Sequence, residues 1–409
     1  MKNKVICTLL WNHLYLNNEG YFLPCCNSNE KIEELKKRST TILENKSLDN
    51  IHTLDFIKEI RTDMLNGKKN IFCNQCYEAE EKGILSYREI NNDLFSDTYK
   101  ELISGLGDLN DKLKFEYVDL RLGNTCNLSC RMCPAESSSN LIKDLEVLEG
   151  RTFTSDFFKN TNWYKEENFW NNLLTHSDSF KKIYLAGGEP LLINETWDFL
   201  LKLIEKGVSK NITLYYSTNL TILPKKAYEI WPHFKKVNLS LSIDATEETY
   251  EYIRFPAKWS KVDLNLKELD KKFHELNIES AVVYTTIQAY NYASIPKLVA
   301  YLSEFSFIDH YPILNILRSP DSLAIDKIPK EIRHREVREL KKVLFKASTA
   351  DYKSKKWKLN FVNELISYIE ELKSESTSNI EDFKKYTVHF DKSRKQSIFN
   401  IIPELKNYF

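Results

Sequence analysis

The sequence predicts an α/β protein in which a parallel-stranded core follows a small cysteine-rich α+β segment and precedes a charged helical tail. Three observations carry this. Between about residues 106 and 325, short apolar or alternating stretches take turns with helical ones, the pattern of βαβ units. Cys7, Cys25, Cys26, Cys73 and Cys76 precede that region, and Cys126, Cys130 and Cys133 lie in one loop near its start. Beyond about Pro329 charges dominate, while Val337, Leu340, Val343 and Leu344, then Phe361, Leu365, Tyr368 and Ile369, follow helical spacing. The expected domains are 1–105, 106–325 and 326–409.

At 409 residues the chain has room for two or three domains. Its 58 basic and 58 acidic residues cancel, so it lacks the charge footprint of a dedicated nucleic-acid binder. Val5 to Trp11 is apolar but short, shows no small-residue cleavage site, and runs into Asn12 and His13. It reads as neither signal peptide nor membrane span. A cytoplasmic location with no nucleic-acid or membrane partner is expected, and in a reducing compartment eight cysteines read as metal ligands before disulfides.

Taken in order, Leu9 to Leu16, a turn at Asn17, Asn18 and Gly20, and Tyr21 to Leu23 predict a hairpin with thiols at both ends. A helix over Leu54 to Leu65 should stop at Asn66-Gly67, just before Cys73-x2-Cys76. Four thiols in two groups can enclose an iron-sulfur cluster or a zinc ion. The first core strand, Phe115 to Leu122, leads through Gly123 and Asn124 into Cys126-Asn-Leu-Ser-Cys130-Arg-Met-Cys133. Soft thiolates select clusters, zinc or copper(I), and a closed zinc site would want a fourth ligand. Three thiols in a short loop leave one iron of a cubane open.

A helical region, Leu141 to Leu174, should anchor Trp163 and Trp170 in the core. The second strand, Lys182 to Ala186, ends in Gly187-Gly188-Glu189-Pro190, whose glycines admit a close approach and whose carboxylate can accept from an ammonium. Strands three and four, Ile212 to Asn219 and Val237 to Ile243, alternate. Thr213, Tyr215, Ser217 and Asn219 share one parity; Asn238, Ser240 and Ser242 oppose Val237, Leu239, Leu241 and Ile243. Helices cover the outer face of such strands, so the polar parity should line an interior cavity, joined by Tyr284, Thr286 and Gln288 of strand five, Glu279 to Gln288. A sixth strand is expected over Tyr311 to Arg318. Ser242 and Asp244 close strand four, at the carboxyl end where a parallel barrel carries its active site. Arg254 is either a ligand contact or a surface ion pair.

Cys-x3-Cys-x2-Cys, with the apolar Met132 before its third cysteine, resembles the defining motif of the radical S-adenosylmethionine (SAM) superfamily. The resemblance implies a 4Fe–4S cluster on Cys126, Cys130 and Cys133 whose open iron chelates SAM. It further implies reductive cleavage to a 5′-deoxyadenosyl radical, hydrogen abstraction from a substrate, and an electron donor such as flavodoxin or ferredoxin. Gly187, Gly188, Glu189 and Pro190 resemble the motif that holds the methionyl amino group. Ser242 and Asp244 resemble the ribose- and carboxylate-binding position, with Ser217, Asn219 and Arg254 as further SAM contacts. The fold implied is a partial (β/α)6 TIM-type barrel with a lateral opening.

Cys7, Gly20 and Cys25, then Cys73 and Cys76, continuing through Tyr77-Glu78 to Ser86-Tyr87-Arg88, are similar to the start of SPASM and twitch domains. That likeness implies an auxiliary 4Fe–4S cluster on Cys7, Cys25, Cys73 and Cys76, with Cys26 spare and zinc as the alternative occupant. The usual order places such a domain after the core, whereas here it comes first. The expected function is an oxidoreductase that modifies or oxidises a peptide or protein. Oxidation or rearrangement of a small molecule (sugar, nucleotide or alcohol) is the alternative. A non-enzymatic electron carrier or scaffold would need neither the Gly-Gly-Glu-Pro turn nor the Ser242/Asp244 strand end.

Overall fold

The structure, a computed structural model, describes residues 5–45, 47–104, 114–154, 160–308, 312–333, 338, 341 and 380–409. The helical positions expected from Val337 to Ile369 lie outside the described residues. Eight strands are described: β1 (His13–Leu16), β2 (Phe22–Leu23), β3 (Tyr117–Leu122), β4 (Lys182–Gly187), β5 (Thr213–Thr218), β6 (Lys236–Ser242), β7 (Ile278–Ile287) and β8 (Ile313–Ile316). β3 to β8 are the six strands the sequence predicts, with ends displaced by one or two residues. The chain divides into two compact units, one comprising Met1–Thr125, Thr154–Tyr216 and Glu229–Lys236, the other Cys126–Phe153, Ser217–Tyr228 and Val237–Phe409.

In the first unit β1 and β2 form the expected hairpin, Tyr15 facing Leu23. β1 also pairs in parallel with β3, so the cysteine-rich segment extends the sheet. β3 pairs with β4, and β4 with β5, both parallel. Strand alternation divides the faces. Val118, Leu120 and Leu122 of β3, Ile183 and Leu185 of β4, and Leu214 and Tyr216 of β5 are all buried. Trp163 and Trp170 are core anchors as expected, Trp163 edge-on to Phe169 and Trp170 packed on Phe199 at 5.1 Å. The helix Asp55–Leu65 buries Phe56, Ile57, Ile60 and Met64 at helical spacing, in a cluster that includes Ile6, Leu9, Leu10 and Phe72.

In the second unit β7 lies between β6 and β8, all parallel, with Leu241 opposite Val283 and Thr286 opposite Asn315. The alternation of β6 is realised: Val237, Leu239 and Leu241 are buried, while Asn238, Ser240 and Ser242 are half-buried. The last helix, Ile380–Arg394, buries Phe383, Tyr386, Thr387 and Phe390 along one face. Among the described residues no helix is long and apolar enough to cross a membrane.

Candidate active site

Residues 126 to 133 form a loop whose backbone is tied down at several points. Ser129 N donates to Phe255 O at 2.7 Å and Arg131 N to Ile253 O at 2.9 Å, while Asn140 Nδ2 reaches Cys126 O at 2.9 Å. Each of two cysteine sulfurs faces donors. Cys126 Sγ accepts from Leu128 N at 3.4 Å and meets Asn219 Nδ2 at 3.9 Å; Cys130 Sγ meets Arg254 Nη1 at 3.8 Å. Asn219 is itself fixed, donating to Asn127 Oδ1 at 3.0 Å and accepting from Thr221 N at 2.9 Å. N–H groups aimed at sulfur favour the thiolate, the form that binds iron.

Arg254 is not a surface ion pair. It is buried, and its Nε donates to Asp244 Oδ2 at 2.7 Å, while Thr286 N donates to Asp244 Oδ1 at 2.7 Å. Asp244, without solvent exposure, therefore spends its carboxylate within the protein, aiming the guanidinium at Cys130. A hydrogen bond from Cys133 holds the Cys130 thiol below its usual value, with Arg254 helping against burial. Cys133 is raised correspondingly, by that same hydrogen bond and by burial. Met132 is buried behind the loop; Ser217 and Ser242 are half-buried on their strands.

The loop has a second support that its sequence does not announce. Arg131, fully buried, donates through Nη2 to Asp391 Oδ1 at 2.7 Å and through Nε to Tyr252 O at 3.0 Å, and its guanidinium lies 3.7 Å from the Tyr252 ring. Asp391 also accepts from Tyr252 OH and Ile398 N, and Tyr386 OH donates to Arg131 O. The C-terminal helix thereby grips the loop between its second and third cysteines. The clue in the sequence was an arginine in a loop otherwise free of charge.

In the first unit, the Gly187-Gly188-Glu189-Pro190 turn supports the strand that feeds the loop. Gly188 N donates to Gly123 O at 3.1 Å and Glu189 N to Thr125 O at 2.8 Å. A Cβ on Gly188 would stand 2.1 Å from Thr125 O, and one on Gly187, whose φ is +118°, would stand 2.6 Å from Leu122 N. Both glycines are thus required by the protein's own backbone. Glu189 is buried and its Oε1 accepts from Leu191 N at 3.1 Å, capping the turn that Pro190 opens.

The N-terminal cysteines gather as a set. Cys7, Cys25, Cys73 and Cys76 line one cavity together with Leu9, Leu10 and Phe72. Arg88 knits its walls, pairing with Glu80 at 2.6 Å and donating to Ile6 O at 2.8 Å, while Tyr77 OH donates to Val5 O. Burial pushes the Cys7 thiol up to about 12 and raises Cys25, Cys73 and Cys76 as well, so a cation or cluster would have to repay that cost. Cys26 is not in this lining; its electrostatic neighbours are Asp119, Arg121 and Tyr87. None of the eight cysteines is in a disulfide. Among the described residues no three His, Cys, Asp or Glu side chains converge as ligands of one metal ion. A cubane, by contrast, takes one cysteine per iron, so its ligands stand apart.

Residues 120–302 match the sequence model of the Radical SAM superfamily. This stretch, with the cysteine loop and parallel strands described above, is a radical SAM domain, and the α/β arrangement fits a partial TIM-type barrel. Superfamily members bind SAM and a 4Fe–4S cluster. No curated protein sequence matches the chain. Among solved structures, anSMEcpe with bound AdoMet is 17% identical with a TM-score of 0.39, the match covering 56% of this chain and 60% of that one. Streptococcus suis SuiB bound to precursor peptide SuiA is 15% identical with a TM-score of 0.35, covering 71% and 64%. TYW1 with a lysine-pyruvate adduct is 17% identical with a TM-score of 0.29, covering 55% and 70%. The chain thus spans less than two thirds of the length of the anSMEcpe and SuiB chains.

Proposed function

We propose that this protein is a radical SAM enzyme that abstracts hydrogen from a peptide or protein substrate, with net oxidation supported by a second, auxiliary cluster. The observation that carries the reading is the cysteine loop: three thiols in one backbone-anchored turn, with N–H donors turned on the Cys126 sulfur and a buried guanidinium on that of Cys130. Bound there, a 4Fe–4S cluster with SAM on its open iron supplies one-electron cleavage of the sulfonium to a 5′-deoxyadenosyl radical. The chain's own residues do the rest. Cys126, Cys130 and Cys133 would be the ligands. Asn219, Leu128 N and Arg254 stabilise negative charge on the sulfurs, and Asp244 keeps Arg254 charged and in place. Gly187 to Pro190 fix the approach to Cys126, with Glu189 as acceptor for the SAM ammonium. Ser217 and Ser242 offer hydroxyls for the ribose.

The gathering of Cys7, Cys25, Cys73 and Cys76 around one cavity, with Cys26 apart, supports the auxiliary cluster of a twitch-like segment over residues 1–105. Four cysteines satisfy four irons, so that cluster would accept an electron from a substrate radical rather than bind SAM. Residues 106–325 would be the barrel and 326–409 its helical extension. Anaerobic incubation with SAM and a strong reductant tests the central claim. Wild type should form 5′-deoxyadenosine and Cys130→Ala should not; equal formation by the variant would sink the assignment.

A further inference from the structure

The strand register of the first unit assembles a polar face of the sheet that the superfamily motifs do not use. His13, Tyr117, Lys182 and Thr213 lie in one row across β1, β3, β4 and β5, and Tyr15, Asp119, Tyr184 and Tyr215 in the next, with Arg121 beyond Asp119 on β3. All share the parity opposite Val118, Leu120, Ile183, Leu185 and Leu214. Asp119 is fully buried and pairs with Arg121 Nε at 2.9 Å. The Arg121 guanidinium lies 4.7 Å from the Tyr184 ring. Tyr117 OH donates to Asp119 Oδ2 and is within 3.1 Å of Tyr87 OH.

Lys182 is the odd member. Its Nζ lies 4.1 Å from the Tyr117 ring centroid and 4.6 Å from that of Tyr215, yet among the described residues it has no hydrogen-bond acceptor or ion-pair partner. Among the described residues the cluster sets Arg121 and Lys182 against Asp119 and the Cys26 thiol, and since burial raises that thiol to about 11 and keeps it neutral, the cluster is one anion short. A half-buried cation without a counter-charge is costly, and burial lowers the Lys182 ammonium to about 8, Asp119 offsetting part of that.

We propose that Lys182 and Arg121, framed by Tyr117, Tyr184 and Tyr215, form a substrate-anchoring subsite for a single carboxylate of an acidic peptide. The subsite rests on the peptide-modifying reading above and names the substrate's chemistry within it. A monoanion makes the charges balance, whereas a phosphate dianion would leave the site one charge over. The carboxylate would come from an Asp or Glu side chain or from a free carboxy terminus.

Thermal unfolding of the anaerobically reconstituted protein, at fixed ionic strength, tests this without turnover. The probes are acetyl-Ala-Glu-Ala-amide (side-chain carboxylate only), acetyl-Ala-Gln-Ala (terminal carboxylate only) and neutral acetyl-Ala-Gln-Ala-amide. One of the two charged peptides should raise the wild-type midpoint and bind about tenfold more tightly than the neutral one, the ratio for a charge-assisted hydrogen bond. Which of them does so identifies the source of the carboxylate. Lys182→Met should melt higher than wild type without ligand, since it removes an uncompensated buried charge, and should lose the carboxylate increment; Lys182→Arg should keep it. If the charged peptides act no differently from the neutral one, or Lys182→Met retains the increment, the subsite is overturned and Lys182 is a structural cation held by its two rings. Failure here leaves 5′-deoxyadenosine formation intact, and failure of SAM cleavage leaves the peptide shifts readable.

Discussion

Asp391→Ala should loosen the cysteine loop from a distance of more than 250 residues in sequence, because it removes the counter-charge of Arg131. The guanidinium has no solvent exposure, and Asp391 is 16% exposed. Breaking a fully buried pair by deleting one partner costs about 3 to 5 kcal/mol. Arg131 would keep Tyr252 O at 3.0 Å and Gln396 Oε1 at 3.1 Å, which argues for the low end. Two further donors, Tyr252 OH and Ile398 N, would lose their acceptor. The expected loss is therefore about 3 kcal/mol, read as a lower urea midpoint of the reconstituted protein and faster release of iron to a chelator. The double variant Arg131→Met/Asp391→Leu should recover most of the stability, since well-packed apolar residues replace a buried pair at little cost. An Asp391→Ala change within about 0.5 kcal/mol of wild type, the range of an ordinary surface substitution, would refute the clamp. So would a double variant as unstable as the single one.

Gly188→Ala should displace the carbonyl of Thr125, since its Cβ would stand 2.1 Å from that oxygen. Protein yield should hold better than 5′-deoxyadenosine formation per molecule, and undiminished formation would mean the turn tolerates a side chain. Fully reconstituted wild type should hold about eight irons, four per cubane, and Cys73→Ala/Cys76→Ala about four. Cys26→Ala should not change the count. Iron analysis checks both, and zinc bound at the N-terminal cysteines would defeat the two-cluster reading while leaving the radical SAM domain standing.

The order of strands and the cysteine loop were legible because each is written in local sequence. Alternation such as Val237-Asn238-Leu239-Ser240 specifies a half-buried strand by itself, and Cys-x3-Cys-x2-Cys is a spacing. The clamp was not legible, since nothing near Arg131 or Asp391 names the other; only the folded chain brings them to 2.7 Å. Arg254 was visible as a candidate, but its burial against Asp244 and Cys130 depends on three separate segments. What the glycines of the turn approach within the protein, the Thr125 carbonyl at Gly188 and the Leu122 backbone at Gly187, is set by the fold and is not written near them in the sequence.

The most instructive miss is β3. Predicted simply as a strand from Phe115 to Leu122, it carries a strict alternation, Tyr117, Asp119 and Arg121 against Val118, Leu120 and Leu122, with the latter three almost free of exposure. An acid and a base on one parity cancel in net charge, so the stretch shows no charge bias to mark that face. On the folded strand, the same two residues are a buried ion pair beside an uncompensated lysine from β4. The pair is neutral by itself, so the half-buried ammonium beside it carries the cost of an unmatched charge. That imbalance is the physical reason to look for a carboxylate there.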